Sequence, residues 1–118
     1  MPVVGVPTRA GEIVSLDIWL ECPCCSTDIG DFNYTHNVSG MWSKAGCYDA
    51  LYNSHGQPTS EIIPVLEKAV TYFAANLDNL RAMNPENGWG DADGAFKFLE
   101  NFLELCEQHP NTKIGLSK

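Results

Sequence analysis

Two short polar segments carry the side chains that are best suited to binding a ligand. The first is Asn33-Tyr34-Thr35-His36-Asn37, and the second runs from Asn84 to Asp91 with the sequence NPENGWGD. Each combines amide, hydroxyl or carboxylate groups with an aromatic ring, and polar groups that converge beside an aromatic wall form small-ligand sites. We therefore expect a ligand site between the two segments, lined by Asn33, Tyr34, His36, Asn37, Asn87, Trp89 and Asp91.

Both segments also have a structural interpretation, and it stays open. Asn, Thr and Asp side chains often bond to backbone groups in turns, and Asp91 or Asp93 is well placed to cap a following helix. Trp89 can anchor its loop to the core instead of stacking on a ligand. A calcium loop is disfavoured because Trp89 stands where the first ligand, normally Asp, is required. A phosphate loop is disfavoured because the segment has no Gly-Lys-Ser/Thr.

The segment Cys22-Pro23-Cys24-Cys25 places thiols close together in the sequence. Cys22 and Cys25 have the spacing at which two thiolates hold one zinc ion, and a closed zinc site needs four ligands. We therefore expect half of a structural zinc site at Cys22 and Cys25. The candidates for the remaining ligands are His36, Cys47 and His55. Thiols without a metal, or with a redox role, remain alternatives.

Catalysis has less support in the sequence than binding has. His36 would need a carboxylate and a nucleophile to act as a general base, and the nominal carboxylates are Asp28, Asp31 and Asp49. No Gly-x-Ser-x-Gly or His-Glu-x-x-His signature accompanies them. A small enzyme that uses His36 or the cysteine cluster is therefore an alternative to a non-catalytic binding protein.

Composition and charge narrow the class of partner. The 118 residues suit one domain that spans residues 1–118, with residues 1–11 as a loose arm. The formal net charge of -8 disfavours a nucleic-acid backbone and an anionic membrane surface as partners. We expect a small molecule or a host protein instead, and self-association stays open. A protein–protein interaction module, or an inhibitor of a host protein that acts through an acidic face, is therefore an alternative to a small-molecule binder.

The cysteine count and the first residues indicate a compartment. Five cysteines is an odd number, and three of them are crowded together, unlike a secreted disulfide framework. Residues 1–7 lack the charged and apolar regions of a signal peptide. We therefore expect reduced thiols and a cytoplasmic protein.

The hydrophobic pattern predicts an α+β domain that would position these segments. Alternation predicts a strand over residues 12–22, and residues 23–37 are expected to be a long polar connection. A short helix is expected from Ser39 or Gly40, with another turn near residues 47–52. Apolar stripes predict two long helices, at residues 60–83 and from Asp91 or Asp93 to before Pro110. A last strand follows over residues 112–118. The predicted fold is an antiparallel ribbon of the N- and C-terminal strands, packed against a two-helix hairpin plus one short helix.

The two polar motifs together resemble a family of small proteins of unknown activity from bacteriophages, above all those of actinobacteria, and from bacterial genomes. The resemblance rests on the Asn-Tyr-Thr-His-Asn motif with Met41 and Trp42, and on the Asn84–Gly90 motif before a helix that ends in Cys-Glu-Gln-His-Pro. It covers roughly residues 30–118. Several members also have a strand leading into a Cys-Pro-x-Cys segment. The resemblance implies a small accessory protein of a phage or prophage in the host cytoplasm, and it transfers no functional residue.

Overall fold

The computed structural model describes residues 15–25, 27–86, 88 and 90–118. The expected arm at residues 1–11 and the expected start of the first strand at Glu12 lie outside these residues. The elements, in chain order, are β1 (Ser15–Glu21), β2 (Asp28–Thr35), a 3₁₀ turn (His36–Val38), α1 (Ser39–Lys44), α2 (Tyr48–Tyr52), α3 (Thr59–Arg81), α4 (Ala92–Gln108) and β3 (Lys113–Ser117).

The three strands form an antiparallel sheet in the order β2-β1-β3. The predicted pairing of the two terminal strands is confirmed, because Glu21 lies opposite Lys113 and Asp17 lies opposite Ser117. The predicted alternation along β1 is also confirmed, since every second residue from Leu16 to Leu20 is fully buried. The fold belongs to the α+β class, as the hydrophobic pattern predicted.

The prediction of a polar connection over residues 23–37 is wrong for most of that stretch, because β2 pairs with β1 and makes the ribbon a three-stranded sheet. The alternation of apolar and polar residues does not identify β2 as a strand, because β2 contains a β-bulge. Ile18 lies opposite Phe32 and Leu20 opposite Ile29, so that Gly30 and Asp31 both face Trp19. The extra residue separates the apolar positions by three instead of two, which breaks the period that identifies a strand.

Glycine is required at the bulge. Gly30 has a φ of +71°, a conformation that residues with a Cβ rarely adopt. A Cβ at this position would also lie 2.6 Å from Cδ2 of Leu105 in α4. The bulge therefore lets the sheet approach α4 closely while Ile29 and Phe32 both face the core.

The two long helices cover one face of the sheet. Rings of α4 meet the sheet directly, with the Phe32 and Phe102 centroids 5.5 Å apart. α3 packs on α4 through the stacked rings of Phe73 and Phe96, whose centroids are 5.8 Å apart. Arg81 at the end of α3 bonds to Asp93 at the start of α4, so the two helices form the predicted hairpin. The opposite face of the sheet is not covered by any described element.

Candidate functional site

Three thiols lie together in the turn between β1 and β2. The backbone N–H of Cys22 donates to the carbonyl of Thr27 at 2.9 Å and closes the turn. The Sγ atoms of Cys22, Cys24 and Cys25 all lie within 4.8 Å of one another. Cys24 and Cys25 are exposed, and Cys22 is half-buried. The three thiols could therefore hold a metal ion that arrives from solvent.

The spacing of the three sulfur atoms is suited to one thiophilic ion. A Zn–S bond of about 2.3 Å in a tetrahedral site places the sulfurs about 3.8 Å apart. The Cys22 and Cys24 sulfurs are 3.0 Å apart, and the Cys25 sulfur lies 3.1 Å from Oγ1 of Thr27. The sulfur–sulfur separations, from 3.0 Å to at most 4.8 Å, therefore bracket the tetrahedral spacing. The described residues supply three ligands here, which leaves the fourth position of a tetrahedral site to another group.

The structure adds Cys24 to the pair that the Cys-x-x-C spacing predicted. The spacing identifies Cys22 and Cys25 as candidate metal ligands, but it does not indicate that a residue between them is also one. The fourth-ligand candidates do not join this cluster of close ligand atoms in the described part of the chain. Cys47 is fully buried, and burial raises the pKa of its thiol to about 12, which opposes its ionisation.

Hydrogen bonds among the three thiols shift the pKa values of Cys22 and Cys24 in opposite directions. Bonds from the side chain and backbone of Cys24, and then from Cys25, favour the thiolate of Cys22 and lower its pKa to about 7. The pKa of Cys24 is raised in turn, because its side chain bonds to Cys22 and lies beside the Cys22 charge. The cluster therefore presents one ready thiolate near neutral pH, and thiolate is the form that binds metal.

The two polar segments of the predicted ligand site contact each other. The backbone N–H of Asp91 donates to the Tyr34 hydroxyl at 3.1 Å, and that hydroxyl donates to the Asp91 carbonyl at 3.4 Å. Gly90 has a φ of +91° and lies against the Thr35 side chain. The Tyr34 ring packs against the rings of Trp42 and Phe98, with centroids 6.1 and 5.9 Å away. Tyr34 therefore fixes the second segment to the core.

Asp91 also caps α4. Its Oδ1 accepts from the backbone N–H of Gly94 at 2.6 Å, and Oδ1 of Asn84 accepts from the N–H of Ala92 at 2.9 Å. These bonds satisfy helix N–H groups that have no partner within the helix. Asn87 and Trp89 lie outside the described residues.

The other predicted ligand residues point to different places. Nδ2 of Asn33 donates to Oδ1 of Asp17 at 2.8 Å and to Oγ of Ser15 at 3.0 Å, on the uncovered face of the sheet. Asn37 is exposed, and its backbone N–H donates to Oγ1 of Thr35 at 3.3 Å. Because neighbouring strand residues face opposite sides, Asn33 and Tyr34 do not share one wall.

His36 lies in a third location, where Nδ1 is 2.8 Å from the Tyr52 hydroxyl. It lines a depression of about 360 Å³ with Ser39, Tyr48, Tyr52 and Lys118. Burial lowers the pKa of His36, and the nearby charge of Asp17 opposes that shift. The close partner of His36 is thus a phenol, whereas the nominal partner Asp49 bonds to Asn53 at 2.7 Å.

Comparison of the chain with protein-family models, with curated proteins and with solved structures gave no match. Among the described helices, none has the length and apolar character needed to cross a membrane. The candidate function therefore rests on the chemistry of the residues themselves.

Proposed function

We propose that this protein is a non-catalytic metal-binding protein whose β1–β2 turn holds one zinc ion. The observation that carries the proposal is the convergence of Cys22, Cys24 and Cys25 within 4.8 Å at an accessible turn. Three sulfur ligands favour zinc or Cu(I) over the hard cations that prefer oxygen. A reducing cytoplasm, of the host if the chain is phage-encoded, would keep the thiols available.

The open fourth position distinguishes this site from the closed structural zinc site that the sequence suggested. Structural zinc sites have four protein ligands, whereas a three-ligand site keeps a position for water or for a group from another molecule. The ion would be exchangeable, because the turn is exposed. The fold would not depend on the ion, since the core of the sheet and helices is built without these residues.

Native mass spectrometry of the reduced protein tests the proposal. We expect one zinc ion per chain at micromolar zinc, and cobalt in its place should give the absorption of thiolate-to-cobalt charge transfer. Replacing Cys22, Cys24 or Cys25 by serine should weaken zinc binding by roughly tenfold or more. Cys106→Ala, which removes a buried thiol outside the cluster, is the matched control and should keep full affinity. The absence of zinc binding in the reduced wild type, or equal affinity in the serine variants, would refute it. Preferential loading with Cu(I) would refute zinc as the ion.

A second candidate function is the binding of a small molecule between the two polar segments. The bonds between Tyr34 and Asp91 support it, because they bring the segments side by side. The test is mass spectrometry of small molecules released on denaturing the purified protein. Trp89→Ala should lose the released compound, and unchanged recovery in this variant would remove the candidate.

A further inference from the structure

The uncovered face of the sheet combines an aromatic ring with several carboxylates. β1 contributes Asp17, Trp19 and Glu21 to this face, and β3 contributes Lys113 and Ser117. Asp28 and Asp31 of β2 line the same shallow depression of about 410 Å³ as Asp17 and Trp19 do. Among the described residues of this face, carboxylates therefore outnumber cations four to one. The carboxylates are Asp17, Glu21, Asp28 and Asp31, and the cation is Lys113.

Trp19 lies at the centre of the face and is held in place. It is paired with Gly115 of β3, and its indole covers that glycine so closely that a Cβ there would overlap the ring. Its Nε1 donates to Oε2 of Glu21 at 3.0 Å. One face of the ring thus lies against the sheet, and the half-buried side chain lines the depression. A fixed aromatic face is the geometry that attracts a cation.

The β-bulge increases the negative charge on this face. In a regular strand, Asp28 and Asp31 would point to opposite sides, because they are an odd number of residues apart. The bulge at Gly30 and Asp31 turns both carboxylates to the uncovered side, where Asp28 lies opposite Glu21. In the described part of the chain, Glu21 pairs with Lys113 at 3.9 Å, whereas Asp17, Asp28 and Asp31 take part in no ion pair.

We propose that this face docks an extended, arginine- or lysine-bearing segment of a partner protein, with one cationic side chain over Trp19 and neighbouring ones at Asp28 and Asp31. Charge complementarity selects this occupant, since the carboxylates would repel a nucleic acid or a second acidic copy of this chain. The face is open and spans three strands, which suits an extended chain with several cationic side chains better than one small cation.

The test uses a labelled peptide of alternating arginine and serine, with fluorescence anisotropy at low salt as the measurement. Asp28→Asn/Asp31→Asn should weaken binding about tenfold, because two uncompensated carboxylates are lost. The matched control is Glu100→Gln/Glu104→Gln, which changes the net charge equally on the exposed side of α4 and should stay within about twofold. Trp19→Leu keeps apolar cover over Gly115 but removes the aromatic face, and it should weaken binding severalfold.

A second measurement locates the peptide without substitutions. Amide and indole resonances of Asp17, Trp19 and Asp31 should shift on addition of the peptide, while those of α4 stay in place. Circular dichroism of each variant verifies that the fold is intact.

The proposal is overturned if both carboxylate pairs weaken binding equally, because the peptide would then sense only net charge. It is also overturned if the peptide does not bind, if the shifts lie elsewhere, or if spermidine binds as tightly and displaces the peptide. Dimerisation that is abolished by Asp28→Asn/Asp31→Asn would assign the face to a second copy. The apo and zinc-loaded proteins are both measured, and equal binding is expected because no thiol takes part. Failure of zinc binding would thus leave this proposal standing.

Discussion

Gly94→Ala should destabilise the protein, although alanine is the better helix former. Gly94 lies in the first turn of α4, directly against the ring of Tyr34. A Cβ here would overlap the Tyr34 hydroxyl and would lie 2.9 Å from Cζ of the same ring. Helix propensity alone would stabilise the variant by at most about 1 kcal/mol.

The steric cost should exceed that gain. Tyr34 cannot move freely, because its ring packs against those of Trp42 and Phe98 and its hydroxyl accepts the Asp91 N–H. Overpacking of this kind costs about 1–3 kcal/mol, and displacing the hydroxyl also gives up a hydrogen bond of about 1 kcal/mol. We therefore expect a net loss of about 1–3 kcal/mol in the free energy of unfolding, measured by urea denaturation with circular dichroism.

Two further variants isolate the cause. Gly40→Ala in α1 is the matched control, because its Cβ would be 3.5 Å from Cε of Met83, an ordinary contact. It should be neutral or stabilising. In a Tyr34→Phe background the hydroxyl overlap is gone and the 2.9 Å approach to Cζ remains, so adding Gly94→Ala should cost less than it does in the wild type. If Gly94→Ala stabilises the wild type as Gly40→Ala does, Tyr34 does not pack against the start of α4.

Three other predictions concern titrating groups. Arg81 lowers the pKa of Asp93, so the pair should stabilise the fold above the ordinary Asp pKa near 4 and lose its effect as pH falls through the lower folded value. The difference in Tm between wild type and Asp93→Asn should be present at neutral pH and vanish in strong acid. Burial lowers the pKa of His36, so protonation should destabilise the fold as pH falls below about 6.5, and urea unfolding of His36→Gln should lack that slope. Burial raises the pKa of Cys47 and of Cys106 to about 12. Alkylation of the native protein at mildly alkaline pH should therefore label the three thiols of the β1–β2 turn and spare these two, as peptide mass spectrometry would show. Labelling of all five thiols without denaturant would contradict their burial.

The long elements could be predicted because their periods are uninterrupted. β1 alternates without a break, and α3 and α4 each keep one apolar stripe that ends at a proline or a polar loop. The alternation of apolar residues could not identify β2, because one inserted residue puts its apolar positions three residues apart instead of two. The positive φ of Gly30 is the conformational sign of that insertion, and the sequence records it only as a glycine between Ile29 and Asp31.

The candidate site was partly accessible to sequence reasoning. The thiol cluster depends on neighbours in the chain, and so its spacing could be read directly. Asp28 and Asp31 share one face of the sheet because of the bulge. Tyr34 packs against Asp91 through a contact between residues that are 57 positions apart in the chain. No local pattern contains that information, which explains why residues predicted to line one pocket are distributed over the core, the uncovered face and the His36 depression.

The two edge strands of the sheet, β2 and β3, differ in whether another strand can pair with them. The outer side of β3 is occupied by the loop between α2 and α3, with bonds from Gly56 N–H to the Ile114 carbonyl at 2.7 Å and from Ile114 N–H to the Gln57 carbonyl at 2.9 Å. β2 is the other edge, and there the bulge interrupts the regular backbone spacing that a new strand would need. Natural sheets use such irregular edges to resist fibrous aggregation. The same inserted residue that places two carboxylates on one face should therefore limit the edge-to-edge stacking of chains.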